Sequence, residues 1–387
     1  MEAISELFKK NIRQYGMIIA LIFISVFFQI LTDGILLKPL NVTNLILQNS
    51  YILVLAIGMV LVIITGHIDL SVGSVAAFIG ALSAIMMVDM EMNPVLAVVI
   101  SLLMGALVGA WQGFWVAYIK IPAFIVTLAG MLLFRGLTMI VLNGQSIAPF
   151  PKSFQKISSG FIPDIASGGS MNLLTLIIGV VLSLLVIYQE IRSRRITVKY
   201  GFDQSPVWMS VAKAAALVIV INLFTYVLAQ YNGIPNILVI LLVLIVIYSF
   251  VMNHMTMGRH IYALGGNEKA ASLSGVKTKR VTFWVFVNMG VLAALSGLVF
   301  AARLNSATPK AGTNFELDAI AACFIGGASA SGGIGTVVGA IIGGLVMGVM
   351  NNGMSLVGLG VDWQQGIKGL VLLLAVGFDI YNKSKTA

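Results

Sequence analysis

The stretch NLILQNSYILVLAIGMVLVIIT, residues 44–65, carries no charged side chain and is interrupted only by amides and hydroxyls. A helix of this length, rising 1.5 Å per residue, covers about 30 Å, the thickness of the hydrocarbon core of a bilayer. The run is continuous rather than one-sided, so it reads as a span and not as the buried stripe of a surface helix. The rest of the 387 residues has the same character, with 59% hydrophobic and 10% charged residues and a mean hydropathy of +1.01. Soluble domains carry roughly 25% charged residues, so this chain takes lipid as its solvent. The fold class is an all-α integral membrane protein, a polytopic helical bundle forming one transmembrane domain over 1–387. Its net charge of +9 belongs to loops at a lipid surface and implies no nucleic-acid partner.

Spans are expected at 16–36, 44–65, 70–88, 94–118, 122–142, 172–190, 209–229, 236–252, 281–301, 318–331, 336–352 and 364–381, about twelve in all. Lys9, Lys10 and Arg13 precede the first apolar run, and Thr32-Asp33-Gly34 after it offers no small-x-small site, so an uncleaved signal anchor is expected. With the amino terminus inside, most of the 23 basic residues fall in cytoplasmic segments, including Lys120, Arg192, Arg194, Arg195, Lys199, Arg259, Lys277, Arg280, Lys383 and Lys385. The positive-inside rule therefore places both termini in the cytoplasm.

The segment 318–331 is short for a straight crossing and is broken by Gly326 and Gly327, with Gly332, Gly333 and Gly335 just beyond. A re-entrant loop is the rival reading. Parity favours a crossing, because otherwise Lys383 and Lys385 would end opposite the basic loop around Arg259. Asp69 ahead of Ala76-Ala77-Phe78-Ile79-Gly80 and Asp318 ahead of Ala322-Cys323-Phe324-Ile325-Gly326, on opposite faces, form the pattern an inverted repeat produces.

Ionisable groups in or beside spans are the natural pathway or gate candidates, since a charge at mid-bilayer costs about 2.5–3.5 kcal/mol on insertion scales. Arg135 lies deep in its span and needs a carboxylate partner or a watery route. Lys368, near the outer end of the last span, is placed to snorkel. Asp69 sits in the Gly66–Gly73 break, where Ser71 is placed to cap the next helix; the pair is either a helix start or a gate at the cytoplasmic mouth. Asp318 has the same two readings on the outer side. Gly335, Gly339, Gly343 and Gly344 recur at helical spacing and suit close helix packing, within one subunit or between two. His67, His254 and His260 form no metal-ligand constellation, and Cys323 reads as a buried small hydrophobe.

The most informative loop is GRHIYALGGNEKAASLSGVK, residues 258–277. It reads as a short helix at the membrane face, with Asn267 as cap, Glu268 at the positive end of the dipole, and Ala270, Ala271 and Gly275 keeping one side thin. An ordinary basic loop anchored at the headgroups fits the same residues. The segment resembles the coupling segment of ribose- and xylose-type ABC importer permeases, through Gly265, Gly266, Asn267, Glu268, Ala270, Ala271, Ser274 and Gly275. Gly66-His67-Ile68-Asp69-Leu70-Ser71, Ile121-Pro122-Ala123-Phe124, and Glu316-Leu317-Asp318 running into Gly326–Gly335 agree with that family in kind and order.

The resemblance covers about 44–150 and 237–379, a core of ten spans, with an inserted pair at 172–233 as in the longer xylose and multiple-monosaccharide branch. It implies a permease homodimer, a cytoplasmic ABC ATPase subunit docked on the coupling segment, and an extracytoplasmic sugar-binding protein. This chain has no Gly-x-x-x-x-Gly-Lys-Ser/Thr loop, so ATP and Mg are expected on the ATPase, with no cofactor or enzymatic activity here. A branched-chain amino-acid permease is the alternative within importers. A stand-alone channel or secondary carrier is the alternative outside them, although carriers usually place several carboxylates within spans.

Overall fold

A computed structural model describes residues 12–165, 171–200 and 206–384. Lys9, Lys10, Lys385 and part of the 143–171 loop lie outside the described residues. Fifteen helices follow one another: α1 (Ile12–Leu31), α2 (Pro39–Ile64), α3 (Val72–Ala84, continued by one π-turn, Ile85–Asp89), α4 (Pro94–Ala117) and α5 (Ala123–Val141) come first. Then come α6 (Lys152–Ser159), α7 (Leu173–Lys199), α8 (Val207–Ala229), α9 (Asn236–His254), α10 (Thr256–Gly266), α11 (Glu268–Leu273), α12 (Thr278–Leu304), α13 (Phe315–Ile325), α14 (Val337–Leu356) and α15 (Val361–Ser384).

Among the described residues, nine helices are long and apolar enough to cross a membrane, namely α2, α3 with its π-turn, α4, α5, α7, α8, α9, α12 and α14. The other three expected spans take different forms. The apolar part of α1 is shorter (Gly16–Leu31), and α15 carries Asp362, Gln364, Gln365 and Lys368 in its first half. The segment 318–331 is not one straight helix: α13 has 11 residues and stops at Ile325. Gly327, Gly332 and Gly333 then take left-handed φ values of +79°, +79° and +73°, which L side chains rarely adopt. The chain nevertheless travels from one end of the bundle to the other between α12 and α14. Ala307 pairs with Ile147 in the α5–α6 loop, whereas Gly333 N donates to Ile64 O at the far end of α2 (2.9 Å).

Two long helices form the centre. α2 is buried through nearly all of its second half and runs antiparallel to α12, with Ser296 Oγ donating to Tyr51 O (3.3 Å) and Gly58 beside Met289. Around this pair the packing is reciprocal. α12 holds α3 and α4, α2 holds α13 and α14, α3 carries α5, and α13 carries α15. The two matched sequence stretches occupy equivalent places in that scheme: Ala76 lies against Gly297 of α12, and Cys323 Sγ donates to Ala56 O of α2 (3.5 Å). Close approach depends on glycines, since a Cβ on Gly343 would lie 1.9 Å from Ala322 O, on Gly339 2.3 Å from Gly326 O, and on Gly344 2.6 Å from Leu53 Cδ2. All three contacts are within the chain.

The inserted pair, α7 and α8, packs chiefly on itself through Gly179 against Thr225 and Asn222 Nδ2 donating to Ser183 Oγ (2.7 Å). It touches the centre through α8 against α2.

Gly343→Val is expected to lower the thermal stability of the purified protein by the equivalent of about 1–3 kcal/mol, the usual cost of overpacking. Gly366→Val, whose Cβ meets nothing within 4 Å, is the matched substitution and should leave the melting temperature unchanged.

Candidate coupling site and buried polar centre

α10 begins where Met255, in extended conformation, turns the chain out of α9. It buries Ile261 and Leu264 against the bundle and ends on two glycines. Gly265 is pressed against the end of α2, where a Cβ would lie 1.6 Å from Ile64 O and 2.6 Å from Gly333 N. A Cβ on Gly332 would lie 2.9 Å from Gly265 O and 3.1 Å from Gly66 N. Tyr262 Oη donates to Gly335 O (2.7 Å). Three segments far apart in sequence thus meet backbone to backbone: the break after α2, the end of α10, and the link before α14.

At Asn267 the chain bends, and its Oδ1 accepts from Ala270 N (3.0 Å), capping α11. Glu268 in the first turn receives a hydrogen bond from Lys120 Nζ (2.7 Å). That bond, from the α4–α5 loop, holds the Glu268 carboxyl below its ordinary range. With both side chains 52% exposed, the pair orients the loop more than it stabilises the fold. Ala271 faces inward, whereas Ala270, Ser272, Ser274 and Gly275 are exposed. Leu273, at the tip, is 91% exposed.

A second cluster lies where α3 and α13 start. A Cβ on Gly73 would sit 2.3 Å from Gly312 O and 2.4 Å from Glu316 Oε2, so the two helix starts touch. On the α3 side Asp69 is 2% exposed. Its Oδ1 accepts from Ser71 N (2.8 Å) and Ser71 Oγ (2.6 Å). Ser71 therefore binds Asp69 instead of capping α3, and its Oγ accepts from Gln112 Nε2 of α4 (2.7 Å). On the α13 side, Asp318 pairs with Lys368 Nζ (2.9 Å), the two side chains being 4% and 23% exposed. Tyr51 Oη donates to Asp318 Oδ2 (3.4 Å), and the Tyr51 ring stacks on Phe315 at 3.9 Å. Lys368 thus turns inward rather than snorkelling, because a buried carboxylate is within reach.

Among the described residues Arg135 finds no carboxylate as its hydrogen-bond partner; Nη1 donates to Ala311 O (2.6 Å), next to Gly312. Asp69, Ser71, Arg135 and Asp318 are thereby arranged around one contact between helix starts. Gln112, Tyr51, Tyr262, Lys120 and Leu273 are participants that sequence reasoning passed over. Only Leu273 carried a readable signal, an apolar residue inside a polar loop. Among the described residues, no group of three His, Cys, Asp or Glu side chains is placed to hold a metal.

The family model described as "Branched-chain amino acid transport system / permease component" matches residues 41–376. The chain belongs to this permease family. Within it, the chain is 40% identical to the xylose transport system permease protein of Haemophilus influenzae over 375 residues, 97% of this chain and 98% of that protein. It is 40% identical over 377 residues to the protein of the same name in Escherichia coli K12. It is 33% identical over 339 residues to the ribose import permease protein of that organism, 88% of this chain and 85% of that protein. The alignments with the xylose proteins take in the inserted pair, in keeping with the xylose branch of the permease family. No solved structure matches the chain.

Gly265→Val and Gly266→Val form a matched test of the permease's backbone junction. The first forces a side chain into Ile64 O, whereas the second meets nothing within 4 Å. Gly265→Val is expected to lower the melting temperature by the equivalent of about 1–3 kcal/mol, with Gly266→Val near wild type in the same thermal scan. In the buried centre, Lys368→Met leaves the Asp318 charge unpaired, at a cost of about 3–5 kcal/mol for a buried pair. The double variant Lys368→Met/Asp318→Asn should recover most of that loss, measured by thermal unfolding in detergent.

Proposed function

We propose that this chain is the membrane-spanning permease subunit of an ATP-driven importer of monosaccharides, and that α10–α11 is where its ATPase docks. The observation that carries the reading is the backbone junction. α10 is seated by Gly265 and Tyr262 on both the break after α2 and the link before α14, while α11 turns its thin face and Leu273 outward. A push on α11 is therefore applied directly to the two irregular segments that flank the buried polar centre.

Near full-length similarity to proteins named for xylose, and slightly shorter similarity to one named for ribose, supports a pentose or related aldose as cargo. The amino-acid wording belongs to the broad family description. ATP is hydrolysed on a separate subunit and sugar is delivered by an extracytoplasmic binding protein, so this chain supplies the pathway and carries out no covalent chemistry. Two copies form the transport unit in the bacterial inner membrane. Both termini and α10–α11 face the cytoplasm, consistent with the basic residues Lys120, Arg259, Lys269, Lys277 and Arg280 around that end.

Leu273 is an apolar anchor at the centre of the docking face. In proteoliposomes containing this chain, its ATPase and a panel of pentose- and hexose-binding proteins, Leu273→Asp is expected to reduce ATP-dependent sugar uptake at least tenfold, about 1.4 kcal/mol or more of docking energy. Glu268→Lys and Gly275→Trp should reduce it in the same direction, with thermal stability of the isolated permease preserved. ATP-independent transport by the wild-type chain alone would contradict the importer reading and favour a channel or carrier.

A further inference from the structure

We propose that the outer face of α7 binds the headgroups of anionic phospholipids in the leaflet nearest α10, through Arg192, Arg195 and Lys199. The buried positions of α7 are Thr175, Gly179 and Ser183, which lie on one face and pack on α8, the helix that connects the pair to α2. On the opposite face of a 3.6-residue helix lie Ile177, Val181, Leu184 and Tyr188, all exposed. The same line then continues into Arg192, Arg195 and Lys199, which are exposed as well. An apolar face turned away from the bundle meets acyl chains, so the residues that prolong it meet the headgroups of those lipids.

Depth along the helix agrees. α7 starts at the α6 end of the bundle, where Asn172 N donates to Ala229 O and Asn236 N to Gly160 O, so it runs parallel to α9 and ends on the side of α10. Arg192 comes 19 positions after Leu173, about 29 Å along the axis and one hydrocarbon thickness. Tyr188, Tyr200 and Trp208, each more than half exposed, gather at the same end, as aromatic side chains do at the boundary between lipid and water. The charge of the stripe has one sign. Glu190, the one carboxylate of α7, pairs with Lys213 of α8 (3.4 Å), whereas none of the three cations forms an ion pair among the described residues. Long basic side chains reach the headgroup layer from positions such as these, and cations clustered there favour anionic over zwitterionic lipid. The stripe faces outward from α8 rather than toward α10–α11, which favours lipid over an acidic protein surface as its partner.

The test uses the full chain in phosphatidylcholine vesicles with a trace of phosphatidylglycerol carrying a photoactivatable group next to its glycerol, and locates the labelled peptides by mass spectrometry. It needs neither ATPase nor sugar, so its outcome is separate from that of the importer reading. In the wild-type chain the phosphatidylglycerol probe is expected to label the segment Tyr188–Tyr200 about fivefold more than the matching phosphatidylcholine probe. The triple variant Arg192→Gln/Arg195→Gln/Lys199→Gln should bring the two probes level at unchanged melting temperature. Arg259→Gln/Lys277→Gln/Arg280→Gln removes the same charge from around α10–α11 and should leave labelling of α7 as it was. If the triple variant fails to fold, Arg195→Gln alone decides, with an expected loss of about twofold. Equal labelling of wild-type α7 by the two probes, labelling indifferent to the stripe variants, or an equal loss in the α10–α11 variant would overturn the proposal, the first leaving the stripe to an acidic protein partner.

Discussion

The carbonyl of Ile64 is the point on which this arrangement turns. It lies at the end of α2, where a helix runs out of intrahelical donors, on a residue fully buried in the protein. The missing donor comes from Gly333, far along the chain, and Gly265 packs onto the same carbonyl from a third direction. Such an approach is open only to residues without a Cβ. The Gly333–Ile64 hydrogen bond, the Tyr262–Gly335 hydrogen bond and a cluster of glycines thereby tie the external helix α10 to the two places where the central bundle is irregular, and a displacement of α10 cannot leave those segments behind.

Deeper in the bundle, polar groups do for the short helices what glycines do for the long ones. Arg135 fixes the Ala311 carbonyl, Asp318 joins α13 to α15 through Lys368 and to α2 through Tyr51, and Asp69 joins the break to α4 through Ser71 and Gln112. Each interaction offsets the cost of burying a charge or hydrogen-bonding group in apolar surroundings. Each also holds the start of α3 or α13 against its neighbours. Because α3 and α13 touch at Gly73 and Gly312, a shift that starts at the junction has a short path into this cluster.

The sequence made the bundle legible because lipid imposes a simple rule, and continuous apolar runs such as 44–65 obey it. It also showed that 318–331 was unlike the other segments, through Gly326 and Gly327. What it left hidden were interactions between segments far apart in the chain. Nothing near Lys368 announces that Asp318, 50 positions earlier, turns it inward, and local helix rules made Ser71 a cap when Asp69 offered it a stronger partner. The conformation of α11 followed from Asn267 and Glu268, which act locally. Its seat on Ile64 and Gly333 depends on tertiary packing that no local pattern encodes.

Seated in this way, α10–α11 and the 332–335 link move as one body against the rest of the bundle. Spin labels at Ser272→Cys and Ser331→Cys, in the assembled transporter cycled between nucleotide-free and ATP-bound states, measure this directly. A constant distance is expected between these two positions, together with a changing distance from Ser272→Cys to a label at Asn143→Cys at the opposite end. A Ser272–Ser331 distance that changes with nucleotide, while Ser331 and Asn143 stay fixed relative to each other, would contradict it.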